Sequence, residues 1–176
     1  MCATLTKPVI ATERLILRGP VREDAQRLAE LLNDFNVAGM TSRIPHPYGP
    51  ADAEAFLDRQ SAKDAERDVG FVIEHRQFGL VGGLAFDAED GKPELGYWLG
   101  RPFWNRGYAT EAVRGALGWA RRDWRRSVVI AGHFSDNAAS GQVLCKAGFL
   151  YTGDVQLRPS VARGAEVPTR MMVWLA

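Results

Sequence analysis

The sequence has few of the features that mark membrane, secreted or metal-binding proteins. No apolar run reaches the roughly 20 residues that a helix needs to cross a bilayer, and residues 1–8 contain no apolar signal-peptide segment. Cys2 lies in the terminal segment and Cys145 in a helical pattern, which disfavours a structural disulfide in a reducing compartment. Neither lies in a CxxC motif or a Cys/His cluster, which disfavours a metal site. The net charge of +1 gives no strong field for nucleic acid or an anionic membrane. We therefore expect a cytoplasmic protein with no metal and with no membrane or nucleic-acid partner.

The sequence also lacks the two common glycine-rich nucleotide motifs. It has no P-loop pattern ending in Gly-Lys-Ser or Gly-Lys-Thr, and no G-x-G-x-x-G run. A nucleotide-dependent enzyme is therefore a weak alternative, which ATP or NAD affinity would reveal. The chain has 176 residues, 46% of them hydrophobic and 24% charged, enough to bury one sizeable core. Since no repeat or linker interrupts it, we predict a single domain over residues 1–176.

The apolar pattern predicts a mixed α/β sheet, antiparallel in its first part and partly parallel later. Short turns between the early strands favour an antiparallel meander, and the later strand, helix, strand order implies a right-handed parallel crossover. Strands are predicted at residues 12–18, 69–74, 79–86, 94–100, 127–130, from 149 onwards and at 167–175. Helices are predicted at residues 22–32, 51 to about 64, 108–124 and 137–147, with Gly148 as a left-handed cap. The proline-rich residues 43–50 predict a loop.

A candidate anion site lies where a strand ends and the long helix begins. The first turn of a helix has backbone N–H groups without partners, and the helix dipole makes this end positive. Gly107 removes a Cβ where a diphosphate would come close, Ala109 keeps the first turn narrow, Arg106 can add a charged contact, and Thr110 offers a hydroxyl. Glycines also occur at helix starts for structural reasons, so these residues alone leave both interpretations open.

Four blocks of sequence then match, in order, the motifs of one family. They are TERLILR at residues 12–18, ELGYWL at 94–99, FWNRGYATEA at 103–112, and NAAS at 137–140 followed by KAGF at 146–149. Together they resemble the GNAT superfamily of N-acetyltransferases, and more closely its Rim-type branch, named for enzymes that acetylate ribosomal-protein N-termini. Trp104 departs from the glutamine or arginine of the superfamily's acetyl-CoA loop, a departure that is usual in this branch.

The resemblance implies a fold, a cofactor and a set of contacts. The fold is a mixed, mostly antiparallel sheet of about seven strands, with helices on both faces and a splay between the fourth and fifth strands. Main-chain groups on the fourth strand would hold the pantetheine arm of acetyl-CoA like an added strand, and one N–H could polarise the acetyl carbonyl. The implied cofactor-binding residues are Tyr97, Trp98, Leu99, Trp104, Arg106, Gly107, Tyr108, Ala109, Thr110, Asn137 and Ser140.

The implied reaction is attack of a free amine on the thioester, without a covalent enzyme intermediate. The first candidate base is Glu94, and the alternative is a solvated strand-end glutamate. Asn137 and Ser140 match an element that holds the CoA arm and orients or protonates the sulfur, and the alternative is a simple helix cap. Leu144 stands where many members have a tyrosine acid, so protonation would fall to Ser140, to water or to nothing specific. Because side chains alternate along a strand, Glu94 and Tyr97 should face opposite sides of the sheet.

The acceptor is predicted to be a small-molecule amine or a peptide N-terminus, and the protein a monomer or a homodimer. Loops at residues 40–50 and 155–169 should form the acceptor cleft. Glu111 is expected to complement the helix dipole or fix the loop, and Cys145 to be a small core residue. His46, His75 and His133 are weak catalytic candidates. The alternative function is an acyl-CoA-binding regulatory module without turnover.

Overall fold

The computed structural model describes residues 8–62, 67–89 and 91–176. Its strands are β1 (Ile10–Ala11), β2 (Leu15–Arg18), β3 (Val69–His75), β4 (Gly79–Glu89), β5 (Lys92–Leu99), β6 (Val128–Phe134), β7 (Leu150–Ser160) and β8 (Ala165–Leu175). Its α-helices are α1 (Ala25–Leu32), α2 (Phe35–Ala38), α3 (Pro50–Ser61), α4 (Tyr108–Arg122) and α5 (Ala138–Lys146). Short 3-10 helices lie at Arg22–Asp24 and Arg101–Phe103.

All eight strands form one sheet in the order β1-β2-β3-β4-β5-β6-β8-β7. Every neighbouring pair is antiparallel except β5 and β6, which run parallel. Helix α4 lies between β5 and β6 in the chain and makes the parallel connection. The predicted mixed, mostly antiparallel sheet is therefore confirmed.

Helices cover both faces of the sheet. Phe71 of β3 packs edge-on against Trp119 of α4, with ring centroids 5.6 Å apart. The preceding residue, Gly70, points to the opposite face and lies against Gln60 of α3. We call the side of Phe71 the α4 face and the side of Gly70 the Glu94 face. Glu94 lies on the second side because the ladder aligns Gly70 with Ala85 and Ala85 with Gly96, which is two residues after Glu94 on β5. Helix α4 buries an apolar stripe against the sheet, formed by Ala112, Val113, Ala116, Leu117 and Ala120.

The splay between β5 and β6 opens after a short parallel ladder. The two strands pair only at Glu94 with Ile130 and at Leu95 with Ala131. Strand β5 continues to Leu99 and β6 to Phe134, so both strands run on past the ladder without a partner on this side. These are the fourth and fifth strands of the prediction, and their numbers rise by one because β1 is a separate strand.

Several predicted boundaries were wrong for local reasons. The predicted first strand begins only at Leu15, because the Thr12 hydroxyl bonds to the Leu15 carbonyl at 3.2 Å and makes a turn after β1. Helix α1 begins at Ala25 after a 3-10 turn, and α2, capped by Asp34, was not predicted. Residues 155–169 form most of the β7–β8 hairpin and not a loop, since Gly164 turns the chain with a φ of 61°.

Helix α5 ends as predicted: the helix stops at Lys146, and Gly148 has a left-handed φ of 99°. The predicted helix end near residue 64 lies outside the described residues, as do Cys2 and Asp90. In the described part of the chain, no helix combines the length and apolar character needed to span a membrane.

Candidate active site

The start of α4 has the geometry of an anion site. Gly107 caps the helix with a left-handed φ of 79°, a conformation that favours glycine, and Asn105 also has a positive φ of 60°. Within the described ranges, the backbone N–H groups of Tyr108, Ala109 and Thr110 have no acceptor, because the first turn of a helix offers none. Their dipoles add to that of the helix and attract negative charge.

Thr12, Arg14 and Glu111 form a polar clip that holds this loop in place. The Arg14 guanidinium donates to the Arg106 carbonyl at 3.0 Å and pairs with Glu111 at 2.7 Å. Glu111 also accepts hydrogen bonds from the Thr12 hydroxyl at 2.7 Å and from the Arg14 backbone N–H at 2.8 Å. Burial alone would raise the pKa of the Glu111 carboxyl, but these bonds outweigh it and hold the pKa below its usual value. Glu111 therefore fixes the loop, as predicted.

Two of the predicted cofactor residues use their side chains for structure. The Trp104 indole donates to the Leu99 carbonyl at 2.8 Å and joins the loop to the end of β5. The Tyr108 ring is buried beneath the Arg14 guanidinium, 4.6 Å from the ring centroid, and lies 4.9 Å from the His75 ring. Tyr108 can therefore reach a cofactor only through its backbone. The Arg106 side chain is exposed.

The first turn of α5 meets β5 on the α4 face of the splay. Asn137 caps this helix, since its Oδ1 accepts the Ser140 N–H at 3.1 Å. The Tyr97 hydroxyl lies 2.8 Å from the Ser140 Oγ and 3.1 Å from the Ser140 carbonyl oxygen. Burial raises the pKa of Tyr97 to about 12, and the bond with Ser140 opposes this rise. Leu144, which stands where many members of the family have a tyrosine acid, is buried in the core and has no hydroxyl to donate.

On the Glu94 face, carboxylates and arginines form pairs beside an open space. Glu94 lies 3.3 Å from the Arg158 guanidinium, and only 22% of its side chain is exposed. Its cross-strand neighbour Asp87 lies 3.0 Å from Arg43. An added Cβ at Gly96 would meet nothing within 4 Å, so the face is open there. Glu94 is thus an ion-paired residue at the splay, and not the solvated strand end of the alternative.

The two segments predicted to border the acceptor cleft contact each other. The Ser160 hydroxyl donates to the Thr41 carbonyl at 3.2 Å. Beyond it, Arg163 at the hairpin tip pairs with Asp136 at 2.7 Å. The hydrogen bond from Arg163, opposed by a small burial effect, holds the pKa of Asp136 below its usual value. The hairpin tip and the segment after α2 therefore close one side of the Glu94 face.

The remaining candidates have other surroundings. His75 and His133 are buried, and the His133 Nε2 lies 2.9 Å from the Tyr151 hydroxyl. His46 is exposed in the proline-rich segment. The prediction that Cys145 is a core residue was wrong: Cys145 is exposed, because α5 buries Gly141 and Leu144 and turns about 100° at each residue. Among the described residues, no group of three or more His, Cys, Asp or Glu could hold a metal ion.

The partners that these residues find in the fold were not predicted from the sequence. Asp87 could have been found, because Asp90-Gly91 is a typical two-residue hairpin connection and would set Asp87 opposite Glu94. Nothing local indicates the contacts of Tyr97 with Ser140 or of Glu94 with Arg158, which join residues 43 and 64 positions apart.

A helix start with unpaired backbone N–H groups lies beside a parallel strand pair that splays apart, which is the arrangement that the resemblance to the N-acetyltransferases implied. Residues 14–150 match the family model described as the acetyltransferase (GNAT) domain. The chain belongs to this family and is an acetyl-CoA-dependent acetyltransferase.

Known proteins share both sequence and fold with the chain. The uncharacterized N-acetyltransferase YnaD of Bacillus subtilis (strain 168) is 29% identical over 147 residues, which cover 82% of this chain and 84% of YnaD. Mycobacterium smegmatis RimJ, solved in complex with CoA-disulfide, has a TM-score of 0.84 at 18% identity over 96% of this chain and 88% of RimJ. Spermidine N-acetyltransferase from Vibrio cholerae, solved with CoA and spermine, has a TM-score of 0.78 at 18% identity over 93% of this chain and 96% of that enzyme. The structural neighbours thus include Rim-type members, as the resemblance predicted.

Proposed function

We propose that the chain transfers the acetyl group of acetyl-CoA to a primary amine, by direct attack in a ternary complex. The observation that carries this proposal is the splay between β5 and β6, which separates two differently equipped faces. The α4 face has the start of α4 at Gly107 with its unpaired backbone N–H groups, and the Glu94 face has open space beside Gly96. A thioester that enters the splay from the first face would present its carbonyl to an amine on the second.

In this proposal the cofactor is held mostly by backbone. The diphosphate binds the N–H groups from Gly107 to Thr110, with Arg106 as an added cation. The pantetheine arm lies along β5 past its last pair with β6, where the Tyr97 and Trp98 peptide groups are the candidate contacts. The Leu99 carbonyl is already used by Trp104, so Leu99 can contribute only its N–H. Asn137 and Ser140 face the sulfur end.

The acceptor amine must lose a proton before it attacks. A lysine-like amine costs roughly 4 to 5 kcal/mol to deprotonate at neutral pH, and an α-amine only about 1. Attack forms the C–N bond, the tetrahedral oxyanion collapses, and the C–S bond breaks with its electron pair on sulfur. We assign Glu94 as the group that receives the proton lost by the amine before attack, directly or through a water, and the second amine proton leaves to solvent as the amide forms. Since Arg158 holds this carboxylate, Glu94 must exchange that partner for the amine.

The charges of the Glu94 face bear on the class of acceptor. Glu94, Asp87 and Asp136 each pair with an arginine. Because these charges balance, the face is not the acidic patch expected for an aminoglycoside site. A polycation such as spermidine would need the same acidic patch, so peptides with free N-termini are the first acceptors to test, and the neighbouring Rim-type fold supports them. Spermidine, the acceptor named for another neighbouring fold, is the second. We extend the proposal to one catalytic domain over residues 1–176, acting in the cytoplasm as a monomer or a homodimer.

The test measures acetyl-CoA consumption against an amine panel at several pH values, beside calorimetric binding of CoA. We expect CoA to bind and the rate to rise with pH until the acceptor amine is deprotonated. Arg106→Ala should weaken CoA binding about five- to tenfold through loss of a charged contact. The matched control, Arg59→Ala, changes an exposed arginine of α3 away from the splay and should bind CoA like the wild type.

Two results would contradict the proposal in different ways. If CoA binds but no amine in the panel is acetylated, the chain is an acyl-CoA-binding module without turnover. If CoA does not bind, the assignment of the Gly107 region as a diphosphate site is wrong.

A further inference from the structure

Two tyrosines lie against the first turn of α5 from opposite sides. The Tyr97 hydroxyl comes from β5 and reaches Ser140. The Tyr151 hydroxyl comes from β7, bonds to His133, and would lie 2.8 Å from a Cβ added at Gly141. Both hydroxyls therefore touch the same helical turn, but only Tyr97 bonds to a side chain that is assigned to the sulfur end of the cofactor.

We propose that the Tyr97 hydroxyl is a positioning group, which aims the Ser140 hydroxyl at the cofactor sulfur and so stabilises the leaving thiolate. The inference rests on the proposed function, because it requires CoA in the splay. It gives Tyr97 a side-chain role in addition to its main-chain contact. Tyr97 acts through Ser140 and does not itself touch the reacting atoms.

The number of available protons supports this role. The Tyr97 hydroxyl has one proton and two acceptors within reach, the Ser140 Oγ at 2.8 Å and the Ser140 carbonyl at 3.1 Å. When the Tyr97 proton goes to the carbonyl, the Ser140 proton must point at Tyr97. When it goes to the Oγ, the Ser140 proton is free to point into the splay. A thiolate there favours the second arrangement, because the two O–H groups then form a chain that ends on the negative charge.

The acid strengths decide that Tyr97 orients and does not protonate. The buried Tyr97 phenol has a pKa of about 12, whereas a thiol has one of about 8.5. Transfer of the phenol proton to the thiolate is therefore disfavoured. Tyr97 stays neutral, Ser140 donates a hydrogen bond, and the thiolate takes its proton from solvent after it leaves.

The first test titrates the thiol of bound CoA, followed by the ultraviolet absorbance of the thiolate, in the wild type and in variants. We expect the bound thiol in the wild type to be a stronger acid than the thiol of free CoA. Tyr97→Phe should weaken the acidity of the bound thiol about two- to twelvefold, the value of one hydrogen bond. Ser140→Ala should weaken it at least as much. Tyr151→Phe, the matched control on the other side of the same turn, should leave it unchanged.

The second test is turnover, with the best amine of the panel as acceptor. Tyr97→Phe should lower kcat by a similar factor and leave the KM for acetyl-CoA within about twofold, because the hydrogen bond matters once the thiolate forms. The double variant Tyr97→Phe, Ser140→Ala should lose no more activity than Ser140→Ala alone, since Tyr97 acts through Ser140.

The outcomes separate this inference from the proposed function. If wild-type CoA binding and turnover are normal but Tyr97→Phe titrates like the wild type, the inference is wrong and the proposed function stands. Equal effects of Tyr97→Phe and Tyr151→Phe also overturn it, because they show a general loosening of α5. If CoA does not bind the wild type, the proposed function and the inference are both wrong.

Discussion

Replacing Glu111 by alanine should destabilise the fold by about 3 kcal/mol at neutral pH. The Glu111 side chain is only 15% exposed and accepts hydrogen bonds from Thr12 and from the backbone and guanidinium of Arg14. Without it, the Arg14 backbone N–H has no acceptor, which costs about 1–3 kcal/mol. The Thr12 hydroxyl keeps Leu15 as a partner and loses about 1 kcal/mol. The guanidinium, 40% exposed, is rehydrated and contributes little.

The assay is urea denaturation of wild type and variant at several pH values. Because the folded-state pKa of Glu111 lies below its ordinary value near 4.5, its contribution is present above that value. The contribution is lost as the pH falls through the lowered folded-state pKa. The difference in stability between wild type and Glu111→Ala should therefore shrink as the pH falls below the ordinary value near 4.5.

The matched control is Asp58→Ala, which removes a 60% exposed carboxylate paired with Arg22 and should leave stability close to wild type. A loss from Glu111→Ala below about 1 kcal/mol at neutral pH would show that the clip does not hold the loop. A difference that stays constant across the pH range would refute the assigned ionisation.

The other predictions concern single contacts. Gly148→Ala should destabilise the fold by about 1–2 kcal/mol in thermal denaturation, because the φ of Gly148 is 99°. Gly118→Ala inside α4 should instead stabilise the fold by about 0.5–1 kcal/mol. Equal effects of the two substitutions would contradict the backbone argument. Trp104→Phe removes the indole bond that joins the loop to β5 and should cost about 1 kcal/mol and weaken calorimetric CoA binding; unchanged binding would contradict this link. In Arg163→Ala the pKa of Asp136 should rise toward its ordinary value in an NMR titration, and an unmoved pKa would show another cause.

Local features of the site could be predicted from the sequence because their causes lie within a few residues. Gly107 directly precedes the apolar helical stripe of α4, as the sequence indicated, although its left-handed φ of 79° was not predicted. Asn137 stands at a typical capping position, and its side chain accepts the Ser140 N–H. The strand alternation that set Glu94 and Tyr97 on opposite faces was also confirmed, since cross-strand pairing aligns Tyr97 with Leu84 and Glu94 with Asp87.

Burial, partners and the hairpin were predicted less accurately, because they depend on which other elements pack against a residue. The apolar character of Cys145 suggested a core position, yet the neighbouring turn of α5 faces the sheet and Cys145 faces outward. Residues 155–169 looked like a loop, because a long exposed hairpin has little apolar alternation to reveal it. Glu94 had no visible partner in the sequence, since Arg158 comes from β7, on the far edge of the sheet.

By itself, the sequence determined the order of the main strands and helices, apart from β1 and α2, the glycine at the start of α4 and the family, since each depends on short-range pattern and on residues adjacent in the chain. Only the tertiary structure decided which groups meet across the splay: Tyr97 with Ser140 on one face, and Glu94 with Arg158 on the other. The physical reason is that these contacts join residues distant in the chain, and their geometry follows from where two parallel strands stop pairing.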